Sequence, residues 1–229
     1  MTAALKFYYH PTPNPSKVAL FLEEAGLEYD MIPVDILLGD QHSSSFKALN
    51  PNEKVPVVVD AGVAIFDSTA ILLHLSKKTG LYLGDDDPQT QADLLSWLML
   101  ISSGLGPFTG QAIHFHHYAP SLPYAINRYE FEAKRHWALA DQRLSETRYL
   151  MGEHYTVADM SVWGWCRGLN YLMGPKAWED FPHVGRLYQE INKRPAAQRV
   201  SQLAARYPFK QGTDADTLSN LFRHGGLDT

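Results

Sequence analysis

The sequence has one cysteine in 229 residues, Cys166. A single cysteine excludes an internal disulfide and a CxxC redox pair. Cys166 lies in the apolar segment VWGWCRGL, where burial and low reactivity are expected. Any thiol chemistry of this protein therefore needs a sulfur from outside the chain.

Long apolar runs and an excess of basic residues are also missing. No stretch of about 18 apolar residues occurs, and the N-terminus resembles the start of a strand rather than a signal segment. The 20 Lys and Arg residues are outnumbered by 25 Asp and Glu residues, which gives a net charge of −5. These features predict a cytoplasmic protein without nucleic-acid or membrane partners.

The first eighty residues alternate between strand and helix patterns. Strands are predicted at 5–10 and 28–35 on either side of a helix at 16–25. The segments VPVVVD and VAIF then predict a hairpin that turns at Ala61 and Gly62, followed by a helix from Ser68 to Gly80. The predicted order is βαβ followed by ββα.

An acidic, proline-containing stretch at 83–89 separates this α/β region from a purely helical one. Beyond it, apolar residues at helical spacing predict helices at 89–101, 124–146, 156–172 and 182–193. We therefore predict an α/β domain at 1–82 and an all-α helix bundle at 89–210. The remaining tail, 211–229, is polar enough to be mobile.

Three short segments suggest a binding site. Val55-Pro56 begins a buried strand and is a candidate cis peptide. A cis bond would turn the backbone of Val55 towards an extended ligand. The alternative is an ordinary strand that starts with proline. Asp67 and Ser68 precede a helix, where they form either a plain N-cap or a site for an α-amino acid. The loop HPTPNPSK places polar side chains at the carboxyl end of the first strand, either as turn residues or as ligand donors.

Together, the segments PTPN, NPNEKVPVVVD, DSTAILLHL, GLGPFTGQ, YAINRY and YTVADM resemble the glutathione transferase family over nearly the whole chain. The TPNPSK loop is similar to that of the bacterial nu-class and fungal Ure2-like members. The resemblance implies a thioredoxin-like N-terminal domain, a helical C-terminal domain, glutathione as co-substrate, no metal and a homodimer.

The resemblance also implies roles for individual residues. The catalytic donors to the glutathione sulfur would be Thr12 and Asn14. Glutathione itself would be held by Gln41, Lys54, Val55, Asp67, Ser68 and Arg128, the last from the helical domain or the partner subunit. Asp67 stands where the family usually has glutamate, which shortens the reach by one methylene group.

Other side chains are candidates for the sulfur donor, a metal site or the substrate cleft. Some relatives use a tyrosine near the end of the first strand as the sulfur donor, so Tyr8 and Tyr9 are alternatives, although packing is their commoner role. The run HFHH at 114–117 lacks nearby partners for a metal site. Phe108, His114 and Tyr118 are expected to border the cleft for the second substrate.

The nu-like loop implies a glutathione transferase that reduces small disulfides. Such a reaction needs two glutathione molecules, because the protein offers no cysteine of its own at the site. Conjugation and peroxide reduction are possible side activities. The alternatives are a glutathione lyase that acts on β-thioethers or aryl ethers, and a non-catalytic glutathione-binding protein.

Overall fold

The structure, a computed structural model, describes residues 5–223. Its N-terminal part is an α/β layer. The elements in chain order are β1 (Leu5–Tyr9), α1 (Pro13–Glu24), β2 (Tyr29–Pro33), α2 (Ser44–Leu49), β3 (Val57–Asp60), β4 (Val63–Phe66) and α3 (Ser68–Thr79).

The four strands form one mixed sheet in the order β2-β1-β3-β4. β2 is parallel to β1, while β3 is antiparallel to both β1 and β4. Ala61 and Gly62 connect β3 to β4 with φ angles of 49° and 84°, as a tight hairpin turn requires. The predicted βαβ and ββα order is confirmed, and this part of the chain is thioredoxin-like.

Helix α3 differs in one detail from the prediction that Ser68 caps it. Ser68 is the first helical residue and Asp67 is the N-cap, because the Asp67 carboxylate accepts hydrogen bonds from the N–H groups of Thr69 and Ala70. At the other end, Gly80 has a φ of 72° and closes the helix as predicted.

The C-terminal part is helical, as predicted. The elements are α4 (Pro88–Leu100), a π-helical turn (Ile101–Leu105), α5 (Gly106–His117), α6 (Pro123–Glu146), α7 (Val157–Met173), α8 (Lys176–Asp180), α9 (Pro182–Asn192), α10 (Pro195–Leu203) and α11 (Ala215–Leu221). The sequence pattern predicted α4, α6, α7 and α9. None of the helices formed by residues 5–223 is long and apolar enough to cross a membrane.

One cluster of buried apolar residues contains side chains from both parts, so the limits 1–82 and 89–210 remain predictions. Helix α7 crosses the first turns of α1 at Gly164, where a Cβ atom would lie 2.7 Å from the carbonyl oxygen of Pro13 and 3.0 Å from Cβ of Lys17. This close approach brings the start of α1 against the helical domain, which positions the site described below.

The predicted mobile tail is in part ordered. Residues 215–221 form α11, which Asp214 caps by accepting a hydrogen bond from the N–H of Thr217 at 2.8 Å. Asn220 bonds to the N-terminal domain, so the polar groups that suggested mobility have protein partners. Residues 224–229 of the predicted tail lie outside the described residues.

Candidate active site

Two adjoining cavities, of about 280 Å³ and 230 Å³, open beside the first turn of α1. Asn14, Lys54 and Val55 line both of them, so together they form one groove. Asp67 and Ser68 lie at one end of the groove. The other end is lined by Thr12, Pro13, Ile36, Gln41, Glu53, Trp165 and Leu221.

The first turn of α1 presents hydrogen-bond donors to this groove. The helix begins at Pro13, so Asn14 belongs to the helix rather than to the predicted loop, and Thr12 is its N-cap. Within residues 5–223 the Thr12 hydroxyl makes no capping hydrogen bond. Pro13 and Pro15 have no N–H, and the Ser16 N–H bonds to the Thr12 carbonyl. Among residues 5–223, the Thr12 hydroxyl and the Asn14 N–H and side-chain amide therefore remain as donors at a helix end that favours anions.

The peptide bond between Val55 and Pro56 is cis, as proposed from the sequence. Val55 lies in the groove and Pro56 is buried at the start of β3. The preceding loop is held by Asn50, whose side chain donates to the Lys54 carbonyl oxygen at 2.6 Å and accepts from the Asn52 N–H at 2.9 Å. These bonds fix the backbone that carries Lys54 and Val55 along the groove.

Asp67 is the N-cap of α3 and also lines the groove. Its Oδ1 atom caps α3, and the exposed residue also lines the groove. Asp67 has a φ of 68°, in the left-handed region that non-glycine residues seldom adopt, and Glu53 at the other end has a φ of 55°. Such backbone conformations are concentrated at functional sites, and here both residues face the groove.

Gln41 carries a polar atom without a protein partner. Its side chain is buried, and Nε2 donates to the carbonyl oxygens of Ile36 and Asn220, each at 3.3 Å. Its Oε1 atom is buried and accepts no hydrogen bond among the residues that the structure describes. Because an unsatisfied buried acceptor is costly, a ligand donor at this end of the groove would stabilise it.

The residues expected to border the second-substrate cleft divide into two groups. His114 and Tyr118 lie at the end of α5 and pack around Phe222, with ring centroids 4.6 Å and 4.9 Å from it. Phe108 instead packs between α5 and α6, against His136 at 4.9 Å. The sequence interpretation also missed Trp165 and Leu221, because no local motif marks residues that reach the groove from α7 and α11.

Both parts of the chain are similar to known protein families. Residues 3–77 match the family model of the glutathione S-transferase N-terminal domain, and residues 126–199 match that of the C-terminal domain. The chain belongs to the glutathione S-transferase family. It is 40% identical to disulfide-bond oxidoreductase YfcG of Escherichia coli over 200 residues, which cover 84% of this chain and 92% of that protein.

Other glutathione S-transferase relatives extend the comparison. Disulfide-bond oxidoreductase YghU of Escherichia coli is 37% identical over 214 residues, covering 85% of this chain and 73% of that protein. A family member from Pseudomonas fluorescens, solved with two glutathione molecules bound, superposes with a TM-score of 0.81 at 33% identity and covers 86% of this chain and 92% of its own. A transferase from Pseudomonas putida, solved with one glutathione disulfide per subunit, gives a TM-score of 0.79 at 33% identity, with coverage of 87% and 91%.

The two tyrosines that other glutathione S-transferases suggested as sulfur donors are engaged in packing. Tyr9 is buried and lies against Phe7 and Phe209, and burial raises its pKa above the usual value. Tyr8 packs against Phe46, with ring centroids 5.9 Å apart. Neither position favours a phenol that activates a thiol.

Lys17 is a further residue that the sequence interpretation missed. Its side chain is buried on α1, one turn after the donors of the groove. Burial lowers its pKa to about 8, and the negative charge of Asp67 opposes that shift. Lys17 therefore places a titratable amine within the electrostatic influence of Asp67, which lines the groove.

Arg128 does not join the groove within one chain. It lies half-exposed on α6, where it donates to the Glu132 carboxylate at 2.7 Å, and Arg135 donates to the same carboxylate at 2.9 Å. These ion pairs hold the pKa of Glu132 below its usual range.

Cys166 and the histidine run occupy separate environments. Cys166 is fully buried, and burial raises the pKa of its thiol far above the ordinary value, so it is not poised to react. His116 pairs with Glu130 at 3.2 Å, whereas His117 stacks on Tyr171 at 4.4 Å. Across residues 5–223, no three His, Cys, Asp or Glu side chains form a group that could hold a metal ion.

Proposed function

We propose that the protein binds glutathione in this groove, activates its thiol and reduces small disulfides. The observation that carries the proposal is the groove itself, which has an acid and a helix end at one side, an unsatisfied buried acceptor at the other, and two donors between them. An extended tripeptide with a central thiol has the complementary groups in the same order.

The ends of the tripeptide are assigned by charge and hydrogen bonding. The γ-glutamyl ammonium pairs with Asp67, and its carboxylate accepts from Ser68 and the N-terminus of α3. The backbone of Val55 pairs with the cysteinyl residue. Towards the glycyl end, Gln41 Oε1 accepts an N–H of the ligand, and the exposed Lys54 ammonium lies beside the ligand carboxylate.

Thr12 and Asn14 stabilise the thiolate rather than acting as bases. Lowering a thiol pKa from about 8.5 to about 6.5 requires roughly 2.7 kcal/mol of preferential stabilisation of the thiolate. Hydrogen bonds to a charged group contribute about 1.5–3 kcal/mol each, and a helix N-terminus adds about 0.3–1 kcal/mol. Two donors at the start of α1 are therefore sufficient to lower the thiol pKa by this amount.

The reaction is thiol–disulfide exchange in two steps. The bound thiolate attacks one sulfur of the disulfide, forming a mixed glutathione disulfide and releasing the other half as a thiolate that takes up a proton. A second glutathione thiolate then attacks the glutathione sulfur of the mixed disulfide and releases the remaining thiol. Two glutathione molecules are oxidised to glutathione disulfide, and one substrate disulfide is reduced. The names of YfcG and YghU support this assignment.

We further propose that the protein is a homodimer. Large apolar side chains are exposed on three elements, with Val63 and Phe66 on β4, Leu95 and Met99 on α4, and Phe131 on α6. Such surfaces are typical of subunit interfaces. In the dimer, Arg128 serves the groove of the other subunit. Sedimentation analysis tests this: Leu95→Glu with Met99→Glu should give monomers, whereas Tyr171→Glu, also at an exposed apolar position, should not.

The functional test is glutathione-dependent reduction of 2-hydroxyethyl disulfide, beside a standard electrophile-conjugation assay. Wild-type protein and Asn170→Ala, which changes an exposed asparagine on α7, should reduce the disulfide, whereas Asn14→Ala should not do so efficiently. Conjugation without reduction would indicate an ordinary transferase, and cleavage of β-thioethers or aryl ethers would indicate a lyase. Glutathione binding without thiolate absorbance at neutral pH would indicate a non-catalytic binding protein.

A further inference from the structure

The side-chain amide of Gln41 is held in one orientation. Gln41 lies in a short 3₁₀ turn, Asp40–His42, and its Nε2 atom is 3.3 Å from the carbonyl oxygens of both Ile36 and Asn220. Carbonyl oxygens only accept hydrogen bonds, so the NH₂ group faces them and Oε1 does not. Exchanging the two amide atoms would place Oε1 against both carbonyl oxygens. These two carbonyls therefore determine that the buried, unsatisfied atom of Gln41 is an acceptor.

One of these carbonyls comes from the last turn of α11, 179 positions away in sequence. The Asn220 side chain donates to the Leu37 carbonyl at 3.0 Å, and the Asn220 carbonyl lies 2.9 Å from His42 Nε2. At Gly39, which has a φ of 86°, a Cβ atom would lie 2.8 Å from Asn220 Oδ1, so a side chain there would displace Asn220. The Asn220 carbonyl is thus fixed on the N-terminal domain beside Gln41.

Glutathione, placed in the groove as proposed above, leaves one amide N–H for Gln41. The γ-glutamyl ammonium pairs with Asp67, and the backbone of Val55 pairs with the cysteinyl residue. Gln41 lies with Lys54 in the cavity towards the other end, whereas Asp67 lines the adjoining cavity. The remaining N–H of the tripeptide belongs to its glycyl residue, which lies at the Gln41 end.

We propose that Asn220 is a positioning residue that acts through Gln41 and makes the groove prefer a ligand with a glycyl residue. This preference rests on the proposed function, because it needs glutathione in the groove. The Asn220 carbonyl holds the Gln41 NH₂ group, which leaves Oε1 to accept the glycyl N–H. A buried acceptor without a donor is costly, so γ-glutamylcysteine, which carries the thiol but has no glycyl N–H, is disfavoured.

Calorimetric binding of glutathione and γ-glutamylcysteine to the full chain tests this role without relying on turnover. The readout is the ratio of the γ-glutamylcysteine Kd to the glutathione Kd. Asn220→Ala removes the bond to the Leu37 carbonyl, and the ratio should fall about threefold to tenfold, as for the loss of one hydrogen bond. Gly39→Ala should also lower the ratio, because the added methyl group meets Asn220 from the other side. Ser219→Ala, at an exposed position of α11, should leave the ratio unchanged.

A double-mutant cycle shows whether Asn220 acts through Gln41. Gln41→Met removes the acceptor, so adding Asn220→Ala in that background should not lower the ratio further. A general loosening of the protein would weaken the binding of both ligands alike and leave the ratio unchanged. Thermal melting of every variant identifies any loss of fold.

The outcomes separate the role of Asn220 from the proposed function. A wild-type ratio in both Asn220→Ala and Gly39→Ala, with both ligands still bound, overturns the positioning role and leaves glutathione binding intact. A further fall of the same size in the Gln41→Met background also overturns it, because Asn220 would then act independently of Gln41. Failure of the wild-type protein to bind glutathione overturns the proposed function and the positioning role with it.

Discussion

Two helices of this protein begin at a threonine N-cap, and the two caps are used differently. At α7, Thr156 accepts from the Ala158 N–H, and Asp159 accepts from the Thr156 N–H at 2.8 Å in a complete capping box. At α1, the Thr12 hydroxyl makes no capping bond within residues 5–223 and faces a groove instead. Thr156 therefore stabilises its own helix, whereas the Thr12 hydroxyl is available to a ligand.

The third helical residue accounts for the difference. Asp159 occupies this position in α7 and accepts from the Thr156 N–H, with a further bond from the Leu150 N–H at 2.8 Å. In α1 the corresponding residue is Pro15, and the first turn contains no acidic residue. A helix end with neither a reciprocal acid nor a satisfied cap retains its donors and its partial positive charge. That combination supports the proposal that α1, rather than α7, binds an anionic group.

The largest effect should come from removing the acid of the α7 box. Asp159→Ala leaves the buried N–H groups of Leu150 and Thr156 without acceptors, and we expect a loss of about 3 kcal/mol in the free energy of unfolding. Urea denaturation measures this loss. Asp216→Ala, which removes an exposed acid from the first turn of α11, should cost far less. Equal losses in the two variants would contradict the structural role of the α7 box.

The next-largest effect concerns the N-terminus of α1 and should appear in kcat rather than in the free energy of unfolding. Asn14→Ala removes a donor to the glutathione thiolate, and we expect kcat to fall about 10- to 150-fold, corresponding to about 1.5–3 kcal/mol. Glutathione binding should weaken much less, because the other ligand contacts remain. Steady-state kinetics with a separate calorimetric Kd make the distinction. An unchanged kcat would remove Asn14 from the thiol site.

The sequence predicted best those parts of the site that depend on neighbouring residues. It gave the cis form of Val55-Pro56 as one of two alternatives, placed the cap of α3 one residue too late, and predicted both the cap at Thr156 and the βαβ and ββα order. These features are set by local backbone sterics and capping.

The part of the groove that Trp165 and Leu221 line could not be predicted from neighbouring residues. Trp165 and Leu221 reach it from helices distant in sequence, and α11 was expected to be a mobile tail. Their placement depends on close approaches such as that of α7 at Gly164 and on the attachment of Asn220 to the sheet. One sequence does not determine such long-range packing, because many residues of similar character lie at helical spacing.

Parallel alanine substitutions of Thr12 and Thr156 sharpen the comparison further. Thr156→Ala should lower the free energy of unfolding by about 1 kcal/mol and leave turnover of the remaining folded protein unchanged. Thr12→Ala should cost little stability and reduce kcat, because its hydroxyl serves the ligand and not the helix. Parallel urea melts and kinetics on both variants test this. The comparison fails if Thr12→Ala destabilises the protein as much as Thr156→Ala.

The smallest effect is the part of the pH dependence of stability that the α7 capping box should produce. Burial raises the pKa of Asp159 to about 6, although hydrogen bonds from Leu150 and Thr156 oppose the shift. In the unfolded chain an aspartate titrates near 3.9, so between these values the folded protein holds a proton that the unfolded chain has lost. Stability from this group is therefore fully present below about pH 4 and is lost as the pH rises through about 6.

Between pH 5 and pH 7, this titration should lower the free energy of unfolding by about 1 kcal/mol in the wild-type protein. Asp159→Asn removes the titrating group, so the variant should lack this part of the pH dependence even though its overall stability is lower. Urea denaturation of both proteins at the two pH values gives the difference, and all other titrating groups cancel in the subtraction. Identical slopes in the two proteins would show that the Asp159 carboxyl is ionised throughout this range, with its hydrogen bonds outweighing the cost of burial.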